Sequence, residues 1–229
     1  MSELVAYRLE DGVATLTLNN GRVNALSPAV FDELNAALDR AEQDRAVVVL
    51  RGQPGVLSGG YDLKVMNAGP QQAVALVTRG SSFSRRLLAH PYPVVVACSG
   101  HAIAKGAFLL LSGDYRIGVD GAFRIGLNEV QIGMTMHQAG IELARDRLRG
   151  SAFQRAVINA ELFEPRTALE AGFFDRLVPV EDFEDAVREA AAQLKGLNML
   201  AHRNTKLKVR QALLEALDQA IELDQRHLG

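Results

Sequence analysis

YPVVVACSGHAIAKGAFLLLS, residues 92–112, is the stretch whose reading decides the fold. Val94, Val95 and Val96, continued by Ala97 and Cys98, make a short apolar run rich in β-branched side chains, which predicts a buried strand. The chain then crosses a glycine-bearing loop, His101-Ala102-Ile103-Ala104-Lys105-Gly106-Ala107, and resumes as a helix expected over roughly Lys105 to Ser112. A strand that delivers a loop onto a helix N-terminus leaves unpaired main-chain N–H groups there. The positive end of the helix dipole adds to them, so the place favours developing negative charge.

The same order occurs upstream. Ala46 to Leu50 is a second short apolar run, and it feeds the loop Leu57-Ser58-Gly59-Gly60-Tyr61-Asp62-Leu63, in which Asp62 is placed to cap a turn of helix from Leu63 to Met66. Ala73, Leu76, Gly80, Phe83 and Leu87 then mark one face of a longer helix leading to His90 and Pro91. Ahead of these units the spacing predicts a hairpin, Leu4 to Leu9 and Val13 to Leu18 about a turn at Asp11-Gly12. A helix capped by Ser27 with Pro28 at its first position follows. Downstream, Tyr115 to Val119 and Ala122 to Ile125 read as strands. From Gln138 the chain is mostly helical, with a helix from Pro165 ended by Gly172, a short strand from Arg176 to Val180, and helices near Phe183 to Leu194 and Ala201 to Leu223. Strands alternating with helices place the chain in the α/β class.

Composition narrows the partners. Of 229 residues 48% are hydrophobic, enough for a buried core, and 25 basic against 27 acidic residues leave a net charge of −2. No global field draws such a chain to nucleic acid or to an anionic membrane, so an anionic partner must be held locally. Cys98 is the single cysteine and is expected to be a buried core thiol. The N-terminus shows no basic and apolar leader and no stretch reaches membrane-spanning length, so a cytoplasmic location is expected. No histidine pair stands at metal-ligand spacing, and no phosphate loop, dinucleotide fingerprint or Gly-x-Ser-x-Gly elbow is present. The expectation is no metal and no cofactor.

Chemistry enters with a carboxylate about twenty residues after the second loop, in Ile125-Gly126-Leu127-Asn128-Glu129. Two glycine-bearing loops let two main-chain N–H groups converge on one carbonyl oxygen, and a lone carboxylate beside them can move a proton. This set resembles the crotonase (enoyl-CoA hydratase/isomerase) superfamily, from Leu18-Asn19 to the Thr205-Lys206 pair. The resemblance implies a spiral of ββα units over residues 1–195 and a helical, trimerising region over 196–229, in a homotrimer or dimer of trimers. It also implies an acyl-CoA substrate, with coenzyme A entering as part of it. By the same resemblance the N–H groups of Tyr61 and Lys105 form the oxyanion hole and Glu129 is the catalytic acid and base. Ser58, Gly60, Asp62, Leu63, Gly106 and Phe108 line the acyl site, and Arg22, Val23 and Ala25 belong to the loop that holds the rest of the thioester, with Arg22 a candidate phosphate partner.

Asp114-Tyr115-Arg116-Ile117 followed by Gly126-Leu127-Asn128-Glu129 is similar to the 3,2-enoyl-CoA isomerase branch of that family. A hydratase of the family carries a second glutamate where this chain has Phe108. Isomerisation is therefore the favoured expectation, with hydration as the alternative and a weakly active acyl-CoA-binding protein as the reading from another class. Pathway stays open between fatty acid metabolism and breakdown of another carboxylic acid. Lys105 departs from the family's glycine run, and its amine is expected either in solvent or reaching the phosphates of coenzyme A. The Tyr61 ring is expected along the acyl pocket, with His101 and His137 flanking it.

Overall fold

The computed structural model describes residues 4–227; residues 1–3, which were read above for a leader, lie outside them. The hairpin forms as β1 (Val5–Glu10) and β2 (Val13–Leu18), antiparallel about Asp11 and Gly12 at φ 49° and 74°. Two consecutive left-handed residues match the twist of the flanking strands. Helix α1 (Pro28–Gln43) follows, with Ser27 Oγ accepting from the Val30 N–H at 3.3 Å and Val30, Phe31, Leu34, Ala37, Leu38 and Ala41 buried at helical spacing.

A repeated unit then begins. β3 (Val47–Arg51) and β4 (Gly55–Ser58) lead through α2 (Leu63–Met66) to α3 (Pro70–Ala89). β5 (Val94–Cys98) and β6 (Gly100–Ile103) lead to α4 (Lys105–Leu111), and β7 (Tyr115–Val119) and β8 (Ile125–Gly126) open the third turn. The chain continues through α5 (Gln138–Arg147), α6 (Gly150–Val157), β9 (Leu162–Phe163), α7 (Pro165–Ala171), β10 (Arg176–Val178), α8 (Phe183–Lys195), α9 (Met199–Val209) and α10 (Gln211–His227). The first strand of each unit joins a six-stranded sheet, β1-β2-β3-β5-β7-β10, and the second joins a four-stranded sheet, β4-β6-β8-β9. Pairing is parallel from β2 to β10 and from β4 to β8, with β9 antiparallel at the edge. Two mixed sheets wound from repeated strand-strand-helix units, with C-terminal helices, make the α/β architecture that the resemblance implies.

Period-two alternation decides what each face of the large sheet covers. Leu16, Leu18, Val48, Leu50, Val94, Val96 and Cys98 pack into the main core with the buried faces of α1, α3 and α4, whereas Val47, Val49, Val95, Ala97 and Ile117 meet Phe183, Val187 and Ala190 of α8. Cys98 is indeed a core thiol, pushed up to about 12 by burial, with Sγ donating to Gly100 O.

Three elements differ from expectation. The strand expected over Ala122 to Ile125 shrinks to β8, because residues 122–124 serve the turn that packs Phe123 edge-on against His101 at 5.5 Å. The strand ending at Val180 stops at Val178, before Pro179, which has no N–H to give a ladder. The helix expected from Ala201 to Leu223 is two helices broken at Arg210, whose guanidinium is drawn to Leu88 O and the Asp114 carboxylate. The break lets α10 turn back on its own chain, where Leu213, Leu214, Leu217 and Ala220 join the core that α3 and α5 share. Asp224 on α10 accepts from the Gln138 and Ala139 N–H groups at 2.7 and 3.0 Å and so caps α5.

Candidate active site

The loop after β4 and the loop after β6 lie against each other because glycine removes the obstacle on both sides. A Cβ on Gly106 would fall 2.1 Å from Ser58 O, and one on Gly60, which sits at φ 102°, would fall 3.1 Å from Ala104 Cβ and 3.5 Å from Lys105 N. Ala104, just before α4, holds φ 51° and ψ −123°, a conformation L-residues avoid. Among the described residues, neither the Tyr61 nor the Lys105 main-chain N–H donates to any acceptor of the protein. Two uncommitted donors therefore lie on loops that are in contact with each other.

The loop between β2 and α1 braces this arrangement. Val23 O accepts from Gly59 N at 2.8 Å, and Leu26 accepts from Asp62 N at 3.0 Å while donating to Gly60 O at 2.8 Å. Asn24, buried and left-handed at φ 47°, donates through Nδ2 to Leu57 O, and its own carbonyl takes the Ser58 hydroxyl at 2.8 Å. Ser58 Oγ in turn accepts from Gly60 N at 3.0 Å. Asp62 caps α2 through the Lys64 N–H, as expected, and Leu63 is exposed. Arg22 and Val23 are exposed and Ala25 is half-buried.

Glu129 follows β8 at the start of a short turn of tight helix, Val130–Ile132, and is 5% exposed. Its Oε2 has no hydrogen-bond partner in the structure. Burial raises its carboxyl to about 7, with a backbone N–H and the Lys105 ammonium pulling the other way. A carboxylate poised near neutrality is suited both to take a proton and to return it.

Lys105 corrects the expectation drawn from its charge. Its amine is neither in solvent nor free to reach a coenzyme A phosphate: the side chain is 1% exposed, Nζ donates to Ser84 Oγ of α3 at 2.6 Å and lies 5.9 Å from the Phe108 ring centroid. Desolvation lowers its pKa to about 7, against the pull of the Glu129 charge. His137, buried beside this amine and edge-on to Phe108 at 5.3 Å, is held neutral by burial and by the Lys105 charge, its pKa lowered to about 3. His101 instead accepts from Arg124 N on the surface.

The Tyr61 ring turns toward α3. A Cβ on Gly80 would fall 2.2 Å from Tyr61 Oη, which donates to Val77 O at 3.3 Å, and the ring tilts against Phe31 at 6.3 Å. Ser84 and Gly80 had no motif to announce them, the helical face Gly80-Phe83-Leu87 being the nearest signal, whereas Asn24 lies inside the loop Arg22 to Ser27 that carries the resemblance. Among the described residues no cluster of histidine, cysteine, aspartate and glutamate could hold a metal, and no helix is long and apolar enough to cross a membrane.

Known proteins share this sequence pattern and fold. A family model described as enoyl-CoA hydratase/isomerase matches residues 8–229. The mitochondrial enoyl-CoA delta isomerase 1 of Homo sapiens is 31% identical over 211 residues, covering 90% of this chain and 70% of that protein. A crystal structure of an enoyl-CoA hydratase/isomerase family protein from Pseudomonas syringae superposes with a TM-score of 0.97 at 65% identity, covering 99% of this chain and 98% of the other. The apo structure of an enoyl-CoA isomerase from Mycobacterium tuberculosis gives 0.94 at 42% identity, covering 99% and 100%.

Proposed function

We propose that this chain, which belongs to the enoyl-CoA hydratase/isomerase family, moves the double bond of a 3-enoyl-CoA into conjugation with its thioester, with Glu129 as the single acid and base. The observation that carries this reading is the buried Glu129 carboxylate with one oxygen uncommitted, whose charge is felt by Tyr61 and Lys105, the two residues with uncommitted amides. Glu129 takes a proton from C2, and the electron pair of that bond forms a C1–C2 double bond while the carbonyl pair moves onto the thioester oxygen, giving a dienolate conjugated with the C3–C4 double bond. That oxygen accepts from the N–H groups of Tyr61 and Lys105. The proton then returns from Glu129 to C4, the double bond settles between C2 and C3, and the enzyme is unchanged. Each amide of such a pair is worth ~3 to 4 kcal/mol of barrier.

Phe108 favours this reading over hydration. Adding water requires a nucleophile held in place as well as a proton delivered, and Phe108 stands, buried, where the hydratase resemblance puts a second carboxylate. Asp224, the other buried carboxylate acting on Tyr61, is committed to capping α5. Arg22 and Val23, exposed on the bracing loop, are the residues we assign to the coenzyme A moiety.

The test is conjugation of a 3-enoyl-CoA, followed by absorbance, in wild type and Glu129→Gln. The expected result is a loss of about 100- to 10,000-fold in kcat for the variant. Undiminished turnover by the variant would overturn the assignment, and accumulation of a hydroxyacyl product by wild type would favour hydration.

A further inference from the structure

Between α3 and α4, behind the second loop, donors outnumber their acceptors. Lys105 Nζ has three N–H bonds and a single acceptor, Ser84 Oγ. The Ser84 hydroxyl hydrogen has no acceptor among the described residues, and Ser81 Oγ, one turn earlier on α3, has no partner of any kind. These side chains are 1%, 2% and 4% exposed, in the order Lys105, Ser84, Ser81. Among the described residues no carboxylate stands at ion-pair distance from Lys105, although Glu129 and His137 both feel its charge. The Tyr61 hydroxyl points away to donate to Val77 O and accepts nothing from Lys105.

Burying an ammonium with one acceptor and two hydroxyls with none costs free energy that an alkyl tail could not return. A carboxylate could, since it offers about four lone-pair positions and charge-assisted bonds are the strong ones. We propose that the acyl group taken by this site carries a second carboxylate, distal to the thioester, which accepts hydrogen bonds from Lys105 Nζ and Ser84 Oγ. The substrate class is then the monothioester of a short unsaturated dicarboxylic acid. This rests on the acyl-CoA reading above. Such a partner also gives Lys105 a reason to keep its proton, which burial alone works against.

The experiment is calorimetric titration of the whole chain with two unreactive saturated thioesters of equal length, hexanoyl-CoA and adipoyl-CoA. Wild type, Lys105→Met and Ser84→Ala are compared. Wild type is expected to bind adipoyl-CoA about ten-fold or more tighter, a ratio that falls to about one in Lys105→Met and drops several-fold in Ser84→Ala. Equal or weaker binding of adipoyl-CoA by wild type overturns the proposal. A preference that survives both substitutions also overturns it. If hexanoyl-CoA binds without any preference, only the dicarboxylate inference fails; if neither thioester binds, the acyl-CoA reading fails with it. Competition by free adipate but not by hexanoyl-CoA would mean that the cluster holds a loose anion, and would also overturn the assignment to substrate.

Discussion

Replacing Lys105 by Met should make the protein more stable, and by an amount that depends on pH. Burial brings the amine from 10.5 to about 7 in the folded chain. At about 1.4 kcal/mol per pH unit, the desolvation of the protonated form corresponds to roughly 4 to 5 kcal/mol. The sign follows from proton counts. Above pH 10.5 both folded and unfolded chains hold the neutral amine and nothing is lost. As pH falls toward 7 the unfolded chain takes up a proton that the folded chain does not, so stability drops by about 1.4 kcal/mol per unit. Below 7 both are protonated and the loss is complete. Met removes the titration while keeping the volume near that of the lysine stem. Because Glu129 couples to the same amine, the comparison belongs in a Glu129→Gln background, where Lys105 loses the one group that raises its pKa. Urea unfolding of Glu129→Gln with and without Lys105→Met should show an advantage for the Met variant at pH 7 that shrinks by roughly 2 to 3 kcal/mol by pH 9. A difference that stays constant across that range would mean that the amine is solvated in the folded protein, and its place against Ser84 would be wrong.

Other substitutions probe the scaffold of the site. Gly106→Ala puts a Cβ 2.1 Å from Ser58 O and must push the two loops apart; a displacement near 1 Å is expected to cost about 100-fold in kcat, read by the same conjugation assay. Ala104→Gly relieves φ 51° and ψ −123° and should stabilise by about 1 kcal/mol in urea, while a loss would show that the backbone there is unstrained. Asp114→Ala strips Lys206 and Arg210, both paired at 2.6 Å, of a nearly buried carboxylate and should cost about 3 to 5 kcal/mol in the same measurement.

What sequence made legible was chemistry that acts locally. Ser27 and Asp62 cap their helices through their own hydroxyl and carboxylate, Gly172 ends α7 at φ 99°, and the valine runs became β3 and β5 because continuous apolar residues can be buried on both faces. Glu129 was singled out by the company it keeps, Gly126-Leu127-Asn128, and the structure buries it. Lys105 was not, since a lysine beside a glycine reads as solvated, and its burial depends on Ser84 of α3, twenty-one residues earlier. Nor was the room for the Tyr61 ring, which exists because residue 80 lacks a Cβ. The break at Arg210 escaped for a similar reason. Apolar spacing runs through it, and only the tertiary pull of Asp114 and Leu88 O divides α9 from α10.

The central claim is that one carboxylate carries one proton from C2 to C4. Incubating wild type with a 3-enoyl-CoA in deuterated water, and locating label by NMR in the conjugated product, tests it most directly. Conjugated product with deuterium at C4 at less than the solvent fraction, and none formed by Glu129→Gln, is the expected result. Conjugation that persists in the variant, or a product that has gained water across its double bond, would contradict it.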